Sequence, residues 1–194
     1  MKPITISDIR NIAEYEKIRS DFRARIIEIK THRRVSVGPK ITFLFENRDT
    51  VLSQIQEMMR AERIVHDDKI QHEIDVYNQL LPGQNELSAT MFIEITQNNQ
   101  IKSELDRLLG LTRNDYVSIV IGEDCRVPAI FEAGHEEDDK VSAVQYVRFR
   151  FSDAAKDLFL SGTADVGIAI THPNYNVKTD IAKDVYESLA TDFD

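Results

Sequence analysis

Six side chains in the first half of the chain have the chemistry to hold an anion or move a proton: Arg48, Glu57, Arg60, Glu62, His72 and Glu73. Arginine grips carboxylates and phosphates through a planar fork of donors. A carboxylate in an apolar pocket has its pKa drawn upward and can act as acid or base. Glu62 carries most of this reading. At the helical period, Val51, Leu52, Ile55, Met58, Met59 and Val65 define one apolar stripe, and Glu62 projects from its middle, with Arg48 facing roughly the same way near the helix start. Burying a lone carboxylate costs several kcal/mol or more, so an inward Glu62 must be neutral, hydrogen-bonded or paired. Two outcomes stay open. Either an N-terminal arginine pairs with it or the helix has left the core by this turn, or Glu62 lies in a polar pocket with a raised pKa.

His66 follows Glu62 by four residues, a spacing compatible with metal ligation on a continuous helix. With His72, Glu73 and Asp75 folded back beside them, the set would resemble a carboxylate and histidine site for iron, manganese or zinc. Against this, Val65-His66-Asp67-Asp68-Lys69 reads as a solvated helix end, and the paired Glu-x-x-His pattern of di-iron bundles is missing. No metal is expected. Cys125 in Gly122-Glu123-Asp124-Cys125-Arg126 reads as a turn cysteine, and neither His135 nor His172 can be set beside it as a base. Glu136-Glu137-Asp138-Asp139 reads as a solvated loop and His172-Pro173-Asn174-Tyr175 as a turn. The phosphate-binding P-loop, Gly-x-Gly-x-x-Gly, Gly-x-Ser-x-Gly and His-Glu-x-x-His are all missing.

The elements that must position these residues follow from pattern and punctuation. Ser7 and Asp8 can cap a first helix near Ile9, and Ser20-Asp21 a second running to about Thr31. Strands are predicted at 35–37 and 41–45 around a Gly38-Pro39 turn, then the central helix from about Arg48 to Val65 and a short helix within 66–85. Later strands are expected over 86–95, 116–121, 126–132, 142–151 and 166–171. Helices are expected over 101–109, stopped by Gly110; between Ser152 and Gly162; and over 180–189. Strands without regular helix alternation favour α+β with a mostly antiparallel or mixed sheet. With 194 residues, 42% of them hydrophobic, and no linker or repeat, residues 1–194 read as a single domain.

One cysteine and no long apolar run predict a cytoplasmic protein, outside the membrane. Charge is lopsided. Residues 1–40 hold ten Lys/Arg against five acids, a balance of +5, so with a net charge of −9 the remainder carries −14. An acidic body repels a phosphate backbone, so nucleic acid is not an expected partner.

Linked strings run through the chain: Arg19-x-x-Phe22-Arg23-x-Arg25, Arg33-Arg34-x-x-x-Gly38-Pro39, Phe45-Glu46-x-Arg48-x-Thr50-Val51, Gln54-Ile55-Gln56-Glu57-Met58 with Arg60-x-Glu62-Arg63, and His72-Glu73-x-Asp75-x-Tyr77-Asn78. Thr90-x-Phe92-Ile93-Glu94, Asp139-Lys140-x-Ser142-Ala143-Val144 and His172-Pro173-x-Tyr175 continue them. Together they resemble a bacterial domain-of-unknown-function family, number thirty-five-oh-one, over nearly the whole chain. The resemblance implies genes placed beside a rubrerythrin and a cysteine-rich iron-sulfur protein, hence peroxide defence or electron transfer. The expected role is an accessory or binding protein for a rubrerythrin-like or iron-sulfur partner, with a homodimer compatible. The alternative is an enzyme or small-molecule binder built on the Arg/Glu/His pocket. Cofactor and substrate are left open.

Overall fold

β-branched and aromatic residues alternating at period two put one face of each strand into a shared core. The structure is a computed structural model that describes residues 1–132, 136–137 and 140–193. His135 and Asp138-Asp139 thus lie outside the described residues. Eight strands form one sheet: β1 (Arg34–Val37), β2 (Ile41–Phe45), β3 (Glu86–Ile93), β4 (Val117–Ile121), β5 (Cys125–Phe131), β8 (Val144–Arg150), β9 (Val166–His172) and β10 (Tyr175–Asp180). Their order is β1-β2-β3-β8-β5-β4-β9-β10, and each neighbouring pair is antiparallel. The short strands β6 (Glu136–Glu137) and β7 (Lys140–Val141) make a separate ladder.

The sheet curls until its two edges meet. Tyr175 of β10 donates its hydroxyl to the Val37 carbonyl of β1 at 2.7 Å and accepts the Lys40 N–H at 3.1 Å. The curl gives a nearly barrel-shaped sheet whose inside is apolar, with Val37, Phe43, Phe45, Leu87, Met91, Ile119, Phe149 and Ile168 all buried. The expectation of an α+β fold with a mostly antiparallel sheet is met.

Helices α1 (Ile12–Thr31), α2 (Arg48–Glu62) and α3 (Asp67–Asn78) stand outside this sheet; α4 (Ile101–Asp106), α5 (Asp153–Ser161) and α6 (Lys183–Ala190) come later. A second apolar cluster holds α2 and α3: Val51, Ile55, Met59, Ile70, Ile74, Leu80 and Leu81, joined by Ile4 and by Tyr146 from the outer face of β8. The N-terminal segment is tied down by two amides. Asn78 bonds both the N–H and the carbonyl of Ile4, and Gln56 does the same for Arg10.

Three expectations are corrected. The N-terminal region holds one twenty-residue helix preceded by a 3-10 turn at Ile6–Asp8, not two helices. Asn11 caps α1, accepting from the Glu14 N–H, and Ser20-Asp21 sits exposed in mid-helix because the buried Tyr15, half-buried Phe22 and buried Ile26 carry packing straight through it. The C-terminal helix starts at Lys183, since residues 175–180 form β10 against β9. The central helix ends at Glu62, where Arg63 turns left-handed with φ 56°.

Candidate functional site

α1 and α2 lie antiparallel, which sets their charged faces against each other in reverse order. Arg25 meets Asp49, Arg19 meets Glu57, and Glu16 meets Arg60. Glu57 is the best satisfied, accepting two bonds from Arg19 at 2.8 Å and one from the Tyr15 hydroxyl at 2.6 Å. Arg19 first, then Tyr15, holds its carboxyl at about 2. Burial, then the bond to Glu57, pushes the Tyr15 hydroxyl strongly upward. Arg48 pairs with Asp8 at 2.7 Å, leaving its buried Nε without a partner. The Thr5 N–H, then Arg48, holds Asp8 at about 2. Three of the six predicted residues are therefore structural ties, each to a different partner.

Glu62 does not face the core. It is exposed, with no hydrogen bond or ion pair to a described residue, because the helix has already left the apolar layer. Val65, assigned to the stripe, is 63% exposed. The left-handed turn at Arg63 also breaks the Glu62–His66 register: His66 is the residue that precedes α3. His72 is exposed, whereas Glu73 is half-buried. Among the described residues, no three His, Cys, Asp or Glu converge in a way that could hold a metal ion. Cys125 is half-buried at the start of β5. His172 is buried, with Nε2 donating to the Leu109 carbonyl and Nδ1 accepting the Asn174 N–H.

Glu73 opens onto a groove that sequence reasoning missed. Two adjoining depressions of about 320 and 300 Å³ run between α3 and the outer face of β5 and β8, sharing Gln79, Leu80, Glu132 and Tyr146. Tyr77, one turn after Glu73, lines the smaller one. Its hydroxyl makes no hydrogen bond to a described residue, and desolvation, then Glu73, Tyr146 and Glu62, pushes its pKa up. The hydroxyl stays protonated at neutral pH, so the groove offers aromatic surface and hydrogen-bond donors beside carboxylates. Arg148 closes the far end, turned toward Glu86 and the carbonyls of Leu81 and Gln79. Glu86 is itself buried, yet bonds from Arg150, the Gly83 N–H and Arg148 outweigh burial and hold its pKa down. The Glu73 to Tyr77 spacing on one helix face was the only local signal for this groove; its pairing with Tyr146 is tertiary.

The fold and its surface define an α+β protein with a curled antiparallel sheet, an ionic helical hairpin on one flank and a tyrosine-lined groove beside it. The chain belongs to the family described as protein of unknown function (DUF3501), whose signature matches residues 3–193. It is similar to a crystal structure of a novel protein of unknown function from Burkholderia pseudomallei K96243. The two are 36% identical, with a TM-score of 0.91 and 100% of each chain covered. No curated protein matches.

Proposed function

We propose that this protein works by docking another protein, as an accessory component of a peroxide-defence or iron-sulfur redox system. The observation that carries the docking reading is the division of labour among its charged groups. Arg48, Glu57 and Arg60 are taken up by Asp8, Arg19 and Glu16, while the groove at Tyr77 presents a hydroxyl with no hydrogen bond to a described residue beside exposed apolar side chains. Side chains locked in separate pairs hold helices together; an amphipathic groove suits a partner's surface. The redox assignment rests on the family resemblance, which implies a rubrerythrin-like or iron-sulfur neighbour.

Affinity capture of the tagged full chain from peroxide-stressed cells, with crosslinking and mass spectrometry, tests this. The expected result is recovery of a ferritin-like di-iron or cysteine-rich iron-sulfur protein, crosslinked to α3 or β5. Recovery of the chain alone, under stress and without it, overturns the reading.

A further inference from the structure

Two of the molecule's grooved faces differ in electrostatic character. The concavity between the N-terminal end of α1 and the C-terminal end of α2 is the roomier, about 790 Å³, but its Arg60 is already paired with Glu16. The α3 groove is different. Its smaller depression is lined by Glu73, Val76, Tyr77, Gln79, Leu80, Glu132 and Tyr146, with no lysine or arginine among the described residues that line it. Glu62 also acts on Tyr77 from the end of α2. The only arginine in the adjoining depression, Arg148, is directed to Glu86 and two backbone carbonyls. Two apolar side chains stand on the groove walls in solvent, Val76 at 46% and Ile130 at 47% exposure.

We infer that this groove receives a basic segment of the docked partner, with a lysine or arginine lying against the ring of Tyr77 and pairing with Glu73, and apolar neighbours covering Val76 and Ile130. The inference deepens the docking reading and rests on it. Charge complementarity selects the occupant. An acidic segment would meet Glu73 on a molecule of net charge −9, and like charges across an interface are strongly unfavourable. A purely apolar segment would strip water from Glu73 without returning a partner. A cation with an aliphatic stem satisfies both surfaces: the stem packs on the apolar wall, and the charged head meets ring face and carboxylate.

The test uses the full chain and an oligolysine peptide as probe, followed by chemical-shift mapping, with oligoglutamate as the opposite-charge control. Shifts are expected at Val76, Tyr77, Ile130 and Tyr146 with oligolysine alone. Glu73→Lys should weaken oligolysine binding by about tenfold, because attraction is replaced by repulsion. Asp157→Lys, the same charge change on an exposed part of α5, should alter it by less than about twofold. Should Glu73→Lys lose its fold, Glu73→Gln reads the same contact with a loss of about threefold. Equal weakening by both reversals, or shifts mapping to another face, overturns the inference. If wild-type protein captures a redox partner and Glu73→Lys captures it equally well, the groove is wrong while docking stands. If no partner is captured but oligolysine still fills the groove, the redox reading falls and the groove's cation preference stands.

Discussion

Replacing Asp192 by alanine should cost about 3 kcal/mol of stability, near the lower end of what breaking a buried ion pair costs. Arg33 and Asp192 are paired with their side chains only 1% and 3% exposed, so neither charge has water to fall back on. The guanidinium is also pinned by the carbonyls of Phe45 at 2.9 Å, Glu46 at 3.1 Å and Ser188 at 3.3 Å. Those remaining bonds soften the loss of Asp192, which is why the lower figure applies. Arg33→Met should cost more, about 4–5 kcal/mol, because it strands the buried carboxylate and also removes the guanidinium's bonds to the Phe45, Glu46 and Ser188 carbonyls. Arg33 also extends the β1–β2 ladder, since its carbonyl takes the Phe45 N–H while its Nε serves the Phe45 carbonyl. Burial, against the pull of Arg33, raises the Asp192 pKa, so the neutral Asp192→Asn should recover about half of the alanine loss. The double variant Arg33→Met with Asp192→Ala removes both charges and should be at least about 2 kcal/mol more stable than the sum of the two singles implies. Urea unfolding followed by circular dichroism measures all four. At this chain length about 3 kcal/mol corresponds to a Tm lowered by about 6–12 °C. Additive singles, or an Asp192→Ala cost below about 1 kcal/mol, would refute the reasoning.

The α1–α2 seam should weaken in acid. Glu57 falls from an ordinary 4.5 to about 2 in the folded protein, so its stabilisation is complete above pH 4.5 and is lost as pH drops toward 2. The urea midpoint should follow that slope in the wild type and less steeply in Glu57→Gln; identical slopes would remove Glu57 from the account. Tyr175→Phe should cost about 1–2 kcal/mol by deleting the hydroxyl's bonds to the Val37 carbonyl and the Lys40 N–H, and should speed amide exchange at Lys40. Gly38→Ala should destabilise twice over, since φ is 67° and the added methyl would stand 2.7 Å from the Tyr175 hydroxyl. The clash part of its cost should shrink in a Tyr175→Phe background, which a double-mutant cycle on urea midpoints would show. Asn78→Ala should release the residues around Ile4, detected as faster proteolysis near the N-terminus with the sheet's exchange protection unchanged.

What the sequence disclosed depended on whether the deciding interaction was local. α5 was legible at both ends because its signals act within one turn: Ser152 accepts the Ala155 N–H, and Gly162 takes φ 63°. α1 was misread because a Ser-Asp pair permits a helix start but does not compel one, and continuous packing of Tyr15, Phe22 and Ile26 outweighed it. β10 was missed because the Tyr175–Asp180 pattern, half polar, only becomes a strand by pairing residue for residue with β9. The inward placement of Glu62 failed although the helix reaches it: its last turn lies beyond the apolar layer, and the left-handed Arg63 ends the helix before Val65, which is 63% exposed, could extend the stripe. The groove needed Tyr77 and Tyr146 brought together from distant segments, and no pattern within α3 specifies that meeting.

The lopsided charge acquires its meaning only in the folded chain. Arg19, Arg25, Arg33, Arg34 and Lys40 from the basic segment are matched by Glu57, Asp49, Asp192, Glu94 and Glu104, all from the acidic body. Two acids of the segment, Asp8 and Glu16, return the favour to Arg48 and Arg60. Lys2, Arg10, Lys17, Arg23 and Lys30 then face Glu14, Asp21 and Glu28 without ion-pair partners among the described residues. Half of the basic segment's cations are thus spent on holding it to the body. The body keeps its surplus of carboxylates, so long-range attraction favours cationic partners, and the α3 groove supplies the aromatic and apolar contacts through which such a partner can be held once it arrives.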